Sequence, residues 1–316
     1  MIVRDTDTIK KYVAVNSTLT FDNLKSDQIE RKYIKPLLGA AQYAVFDVAT
    51  VPEDAIVKEA YELAQEAISF LTLYEALPTL ALQITDAGIF QASTDSAQIA
   101  SETRLKDLLR STKRRGLETL DEMLLVMENN LTKFAAWATD DAYKKYTALL
   151  VNSTAVFNKH YNIFNSRQTF MALYAEIETV EYQFIEAPVG KVLLAALKTP
   201  QDNPKRVEAK TLLQKAIVCF TIAKVVQNGL FIFDASGIHV RFDVLPYEQI
   251  NSTTSNDKFS GFLKNTAENK HSEGEQYLKN ALEIITTNAT EFTEYTAPVA
   301  EATKKLVHTT KSITLI

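Results

Sequence analysis

ELAQEAISFLTLYEALPTLAL (residues 62–82) and TLLQKAIVCFTIAKVVQNGLF (residues 211–231) decide the fold. Each carries apolar residues over more length than a strand uses, and each is interrupted by Glu, Gln or Lys too often to span a membrane. Both read as buried helices. They lie 149 positions apart (62 to 211), one in each half of the chain. Moving outward, ITDAGI (84–89) is answered by FDASGI (233–238), each a tight turn in which Gly88 or Gly237 can take a positive φ. KYIKPLLG (32–39) is answered by QFIEAPVG (183–190), and GLETLDEMLLVMENN (116–130) by GEQYLKNALEIITTNA (274–289). VNSTLTF (15–21) returns as VNSTAVF (151–157) with five of seven positions identical. Recurrence in a single order is what duplication of one module requires.

The separations drift, from 136 (15 to 151) through 151 (32 to 183) to 158 (116 to 274). Insertions in connecting loops produce such drift, and HYNIFNSRQTFMALY (160–174) and NSTTSNDK (251–258) are where they fall. The expected architecture is mainly α, as two tandem copies of a helical module: residues 1–134, a helical bridge at 135–150, and residues 151–290. Each copy reads as a helix ending near the Gly of PLLG or APVG, a long buried helix, a turn with a short strand or hairpin, and a long amphipathic helix. Leu105, Leu108, Leu109, Thr112, Gly116, Leu120, Met123, Leu124 and Met127 form one stripe of that last helix in the first copy. GIHVRFDVLP (237–246) alternates apolar and polar residues as a half-buried strand does. Residues 291–316 are an extended, β-prone tail rich in Thr, Val and Ile.

Composition agrees with this reading. Eight Gly and eight Pro in 316 residues leave little turn punctuation, as long helices require. A net charge of −5 argues against a dedicated nucleic-acid binder, which needs a basic excess; contact with DNA is expected to be transient and non-specific at most. Charges interrupt every apolar run of MIVRDTDTIKKYVAV, so neither a signal peptide nor a membrane anchor is expected, and synthesis is placed in the cytoplasm.

No residue constellation announces a reaction. His160, His239, His271 and His308 fall in no metal-ligand spacing, and no phosphate-cradling or nucleophile-elbow motif appears, so neither cofactor nor catalysis is expected. Cys219 sits in KAIVCFTIAKVV as a core thiol. Lys113, Arg114 and Arg115 read as a solvated helix face, as do the acidic pairs Asp121-Glu122 and Asp140-Asp141. The Asn-x-Ser/Thr sites at Asn16, Asn130, Asn152, Asn251 and Asn288 read as turns and caps. Two surfaces are expected to meet a protein partner. One is the polar strand face of His239, Arg241 and Asp243, whose hairpin edge also offers backbone groups to a partner strand. The other is the tail, whose Leu306, Ile313 and Leu315 either hook onto a neighbouring subunit or pack back on the second copy.

Taken together, VNSTLTFDNL, KYIKPLLG, ITDAGIF, GLETLDEMLLVMENN, the stretch AYKKYTALLVNSTAVFNKHYNIFNSRQTFMAL and VEYQFIEAPVG resemble a family of uncharacterised proteins encoded among the structural genes of tailed phages and prophages of gut-type bacteria. The resemblance covers about residues 5–290, and no functional residue carries over from it. It implies a virion protein, a head-to-tail connector or adaptor that forms a ring, docks near the portal, contacts portal and tail proteins and surrounds the DNA channel. The rival expectation is a monomeric helical scaffold that binds a protein or peptide partner in the groove between its copies.

Overall fold

The computed structural model describes residues 1–13, 24–80, 82–85, 88–91, 101–226, 231–233, 237–240 and 257–297. The first copy comprises α1 (Thr6–Tyr12), α2 (Ser26–Ile29), a π-turn (Glu30–Ile34), α3 (Lys35–Phe46), α4 (Ala55–Leu80), β1 (Leu82–Thr85), β2 (Gly88–Gln91) and α5 (Glu102–Asn129). Two short helices follow, α6 (Ala135–Ala138) and α7 (Asp141–Thr147). The second copy comprises α8 (Thr154–His160), α9 (Arg167–Val180), a π-turn (Glu181–Glu186), α10 (Ala187–Val189), α11 (Lys191–Lys198), α12 (Pro204–Val225), β3 (Phe231–Phe233), β4 (Ile238–Val240) and α13 (Asp257–Thr287). Among the described residues the protein is mainly α, built as one module twice.

Equivalent residues carry equivalent bonds. Asp54 caps α4 by accepting from the N–H groups of Ile56 and Val57; 149 positions on, Asn203 caps α12 through Lys205 and Arg206. In the layer beneath, α4 packs on α5 and α12 on α13, each pair joined through an antiparallel two-stranded ribbon. Gly116 and Gly274 make these contacts close: a Cβ would lie 2.8 Å from Leu71 in the first copy and 2.8 Å from Phe220 in the second. At the far ends Asn130 and Asn288 each turn a side-chain amide back to the carbonyl four residues earlier, at 2.8 Å in both cases, and Phe134 and Phe292 then enter their cores. The sequons at these two positions are therefore helix-end bonds.

As expected, a helical stretch ends at the glycine of PLLG and of APVG, and a second one starts directly after it. Gly39 (φ 71°) and Gly190 (φ 85°) each put a kink between two helical stretches, in a region open to glycine. A π-turn precedes each kink by a few residues, so the distortion is inherited with the module.

Two boundaries differ from the sequence reading. Residues 151–157 have their structural counterpart at residues 3–9: Val151 and Val3 are buried before Ser153 and Asp5, which cap α8 and α1. The phrase VNSTLTF at 15–21 lies outside the described residues. Residues 167–174 belong to the regular helix α9, and the stretch of the first copy with which 160–174 would be compared lies mostly outside the described residues. At the other end, Phe292 is buried and Glu294 holds Arg206, so the first residues of the 291–316 segment complete the second module.

Candidate functional site

Buried ionisable groups mark catalytic sites when nothing structural uses them. Here each has a structural occupation. Glu30 opens the first π-turn, is buried, and accepts from the backbone N–H of Ile2 (2.9 Å) and Val3 (3.0 Å); its other oxygen accepts from the Tyr43 hydroxyl. Glu181 opens the second π-turn, accepts from Leu150 N–H at 2.7 Å and pairs with Lys198 at 2.5 Å. Gln65 donates to the Ile2 carbonyl (3.3 Å) and Gln214 to the Leu150 carbonyl (2.9 Å). In each copy a Glu and a Gln from different helices thus clamp the strand-like lead into the first helix. The lead has no sheet to satisfy its backbone, and the clamp supplies partners. Burial and the Glu30 carboxylate push the Tyr43 phenol up, so it stays a donor at neutral pH.

The seam between copies holds the other buried charges. Arg167, at the start of α9, is fully buried and pairs with Glu128 of α5 at 2.8 Å. Its guanidinium lies 4.4 Å from the Tyr146 ring centre, 5.1 Å from Phe170 and 5.2 Å from Tyr143. Ring faces offset part of the desolvation of a cation whose Nε and Nη2 have no hydrogen-bond partner among the described residues. Asp121, read from sequence as an exposed carboxylate, is instead covered by α9: it accepts from the Gln168 N–H at 2.7 Å, and Gln168 Nε2 donates to the Leu117 carbonyl at 2.6 Å. Burial pushes the Asp121 carboxyl up to about 6, with hydrogen bonds from Ser166 and Gln168 pulling against it. Tertiary packing, which hydropathy spacing along α5 does not report, hid this carboxylate.

The remaining candidates are accounted for locally. Cys219 is buried, and burial pushes its thiol up to about 11, which suits a core thiol. Arg114 reaches Glu118, Lys113 lies over Tyr74 and Arg115 over Phe70, as a helix face does. Asp140 caps α7 through Ala142 N–H. No group of His, Cys, Asp and Glu suited to a metal ion occurs among the described residues, and no described helix is long and apolar enough to cross a membrane.

Of the expected interface residues, His239 falls in β4, opposite Ile232; Arg241 and Asp243 lie outside the described residues, as do Leu306, Ile313 and Leu315. The alternation predicts a longer strand than the described β4, which ends at Val240. Its edge is already in use: Ile238 N–H donates to the Asn162 carbonyl at 3.0 Å and Val240 N–H to Thr169 Oγ1 at 3.2 Å. A Cβ on Gly237 would lie 2.3 Å from that same carbonyl, so glycine serves close approach here. These two N–H groups are spent inside the chain and are not offered to a partner strand.

The surface carries a cleft the sequence did not announce, between the second π-turn, α12 and α13. It has a volume of about 380 Å³, opens to the surface, and is walled by Phe184, Phe220, Ala223, Ala267 and His271, with Gln183, Lys224 and Glu268 beside them. Phe184 and Phe220 stack at 4.8 Å, and His271 meets both edge-on.

Residues 12–147 and, again, residues 172–304 match DUF6712, a family of unknown function. No curated protein and no solved structure matches the chain. The two matches cover most of the chain in tandem, and the chain belongs to this family.

Proposed function

We propose that this DUF6712 protein is a non-enzymatic virion subunit, a head-to-tail connector or adaptor of a tailed phage that works as a ring near the portal and around the DNA channel. The observation that carries the reading is the seam. Arg167, Glu128, Asp121 and Gln168 lock two copies of one module into a fixed relation, so the chain presents two related surfaces in set geometry. Ring closure joins one patch of each subunit to a different patch of the next, and a rigid duplicated subunit is suited to that. Buried carboxylates serve the backbone, which fits a structural part better than an active site. A net charge of −5 suits a channel that DNA must pass without sticking.

The rival scaffold, with a peptide groove between its copies, is disfavoured because packed side chains fill the α5–α9 contact, where Met171 touches both cores. Native mass measurement and electron micrographs of the purified protein, alone and with portal and tail proteins, test the proposal. A closed ring of fixed copy number, alone or on the portal, is the expected result. A chain that stays monomeric with every such partner overturns it.

A further inference from the structure

The two modules differ most usefully where equivalent positions change size. In the first, Tyr74 of α4 and Leu109 of α5 are buried together, with Leu77 and Leu105 packed on them. The registers set by Gln65 with Gln214 and by Gly116 with Gly274 place Ala223 at the position of Tyr74, and Ala267 at that of Leu109. A ring and a branched aliphatic side chain are replaced by two methyl groups. The space they vacate is the cleft walled by Phe184, Phe220 and His271. Open apolar volume of this kind attracts an apolar occupant, and the first module shows the size of side chain the site takes.

We propose that the occupant is the C-terminal segment of the same chain, residues 298–316, which lies outside the described residues. A large aliphatic side chain among Leu306, Ile313 and Leu315 takes the volume that Tyr74 and Leu109 take in the first module. Reach supports this. The described chain ends at Ala297, just after Glu294 binds Arg206 in the first turn of α12, whereas Ala223 sits in its last turn. Arg206 to Ala223 is ~26 Å of helix, and nine extended residues from Ala297 to Leu306 cover ~30 Å. After Glu301 the segment carries Lys304, Lys305 and Lys311 and no acidic side chain, and the wall of the cleft offers the carboxylate of Glu268 to one of them. The inference stands apart from the connector reading, because a segment held within its own chain is compatible with a ring or a monomer.

A benzophenone amino acid in place of Phe184, in the full-length chain, tests it. Irradiation is expected to yield a product of monomer mass, joined within residues 302–316. Joining only to a second copy, joining elsewhere, or no joining overturns the proposal. In a second test, the double variant Ala223→Tyr and Ala267→Leu rebuilds the first module's own filling and evicts the segment. With helical content retained, trypsin is expected to cleave at Lys304, Lys305 and Lys311 at least tenfold faster than in the wild type. Unchanged cleavage rates overturn the proposal.

Discussion

Gln65 and Gln214 turn their amides to equivalent backbone carbonyls in the two modules, those of Ile2 and Leu150, while Tyr74 and Leu109 of the first become Ala223 and Ala267 in the second. The contrast separates two kinds of constraint. A polar side chain that satisfies a buried backbone group has its position set by that group, and moving or losing it leaves an orphan donor or acceptor. An apolar side chain answers only to volume, and another source of apolar atoms can replace it. Charged contacts fall between. Lys133 reaches Asp54 at 2.5 Å in the first module, and Arg206 reaches Glu294 at 3.0 Å in the second, so the end of each module is pinned to the start of its long helix with the charges exchanged.

The comparison breaks first at the seam. Arg167→Leu leaves the Glu128 carboxylate buried without its cation, and is expected to cost about 3–5 kcal/mol. Denaturant unfolding followed by two probes, Trp137 in the first core and a label in the second, is expected to split into separate transitions. A single unshifted transition would show that the seam does not couple the modules.

Next come the clamps. Glu30→Gln is expected to cost about 2–3 kcal/mol, since a neutral amide holds two backbone N–H groups and the Tyr43 hydroxyl less well than a carboxylate. Glu181→Gln is expected to cost less, because Glu181 holds one N–H, and Lys198 is exposed enough for water to replace its partner. Equal losses in chemical denaturation would mean the clamps are not tuned by their partners.

The two kinks sharpen the contrast further. Alanine at either glycine suffers the backbone cost of an unfavourable region, about 1–3 kcal/mol. At Gly190 nothing lies within 4 Å of the added methyl, whereas at Gly39 the methyl would lie 2.2 Å from the Asp140 carboxyl. Gly39→Ala should therefore exceed Gly190→Ala by about 1 kcal/mol, the worth of the α7 cap that Asp140 would abandon. Melting of the two variants side by side checks the difference.

The smallest effect is pH-dependent. The folded-state pKa of Asp121 is raised from 3.8 to about 6, so the folded chain binds a proton more tightly than the unfolded one. This group's burial therefore costs stability above pH 6, and the cost is relieved as pH falls toward 4. Asp121→Asn should stabilise the protein at pH 7 by of order 1 kcal/mol and lose that advantage by pH 4.5. A difference between the two melting profiles that does not change with pH would place the carboxylate in water.

How much of this was legible varies with the range of the force involved. Helix identity and tandem order followed from residues 62–82 and 211–231, because an apolar period along one helix is a local property. The burial of Cys219 followed likewise from its neighbours. The cap at Asn203 and the helix-end bonds of Asn130 and Asn288 close within four residues, so residue type and position suffice to suggest them. The phrase shared by 15–21 and 151–157 reflects the local preference of turn formers, whereas the equivalence of Val3 with Val151 is set by what the Glu and Gln clamps hold. Glu30 and Glu181 resemble any surface glutamate in sequence; only folding brings Ile2, Val3 and Leu150 to them across 27 to 31 positions. Asp121 and Arg167 are polar residues on helices that also carry solvent-facing charges, and only the meeting of α5 with α9 takes these two out of water. The sequence by itself determined which segments are helical and that the module occurs twice, because those are sums of short-range preferences. Tertiary structure alone decided which charges are buried, where the copies join and which cleft stays open, because desolvation and volume belong to surfaces brought together from distant parts of the chain.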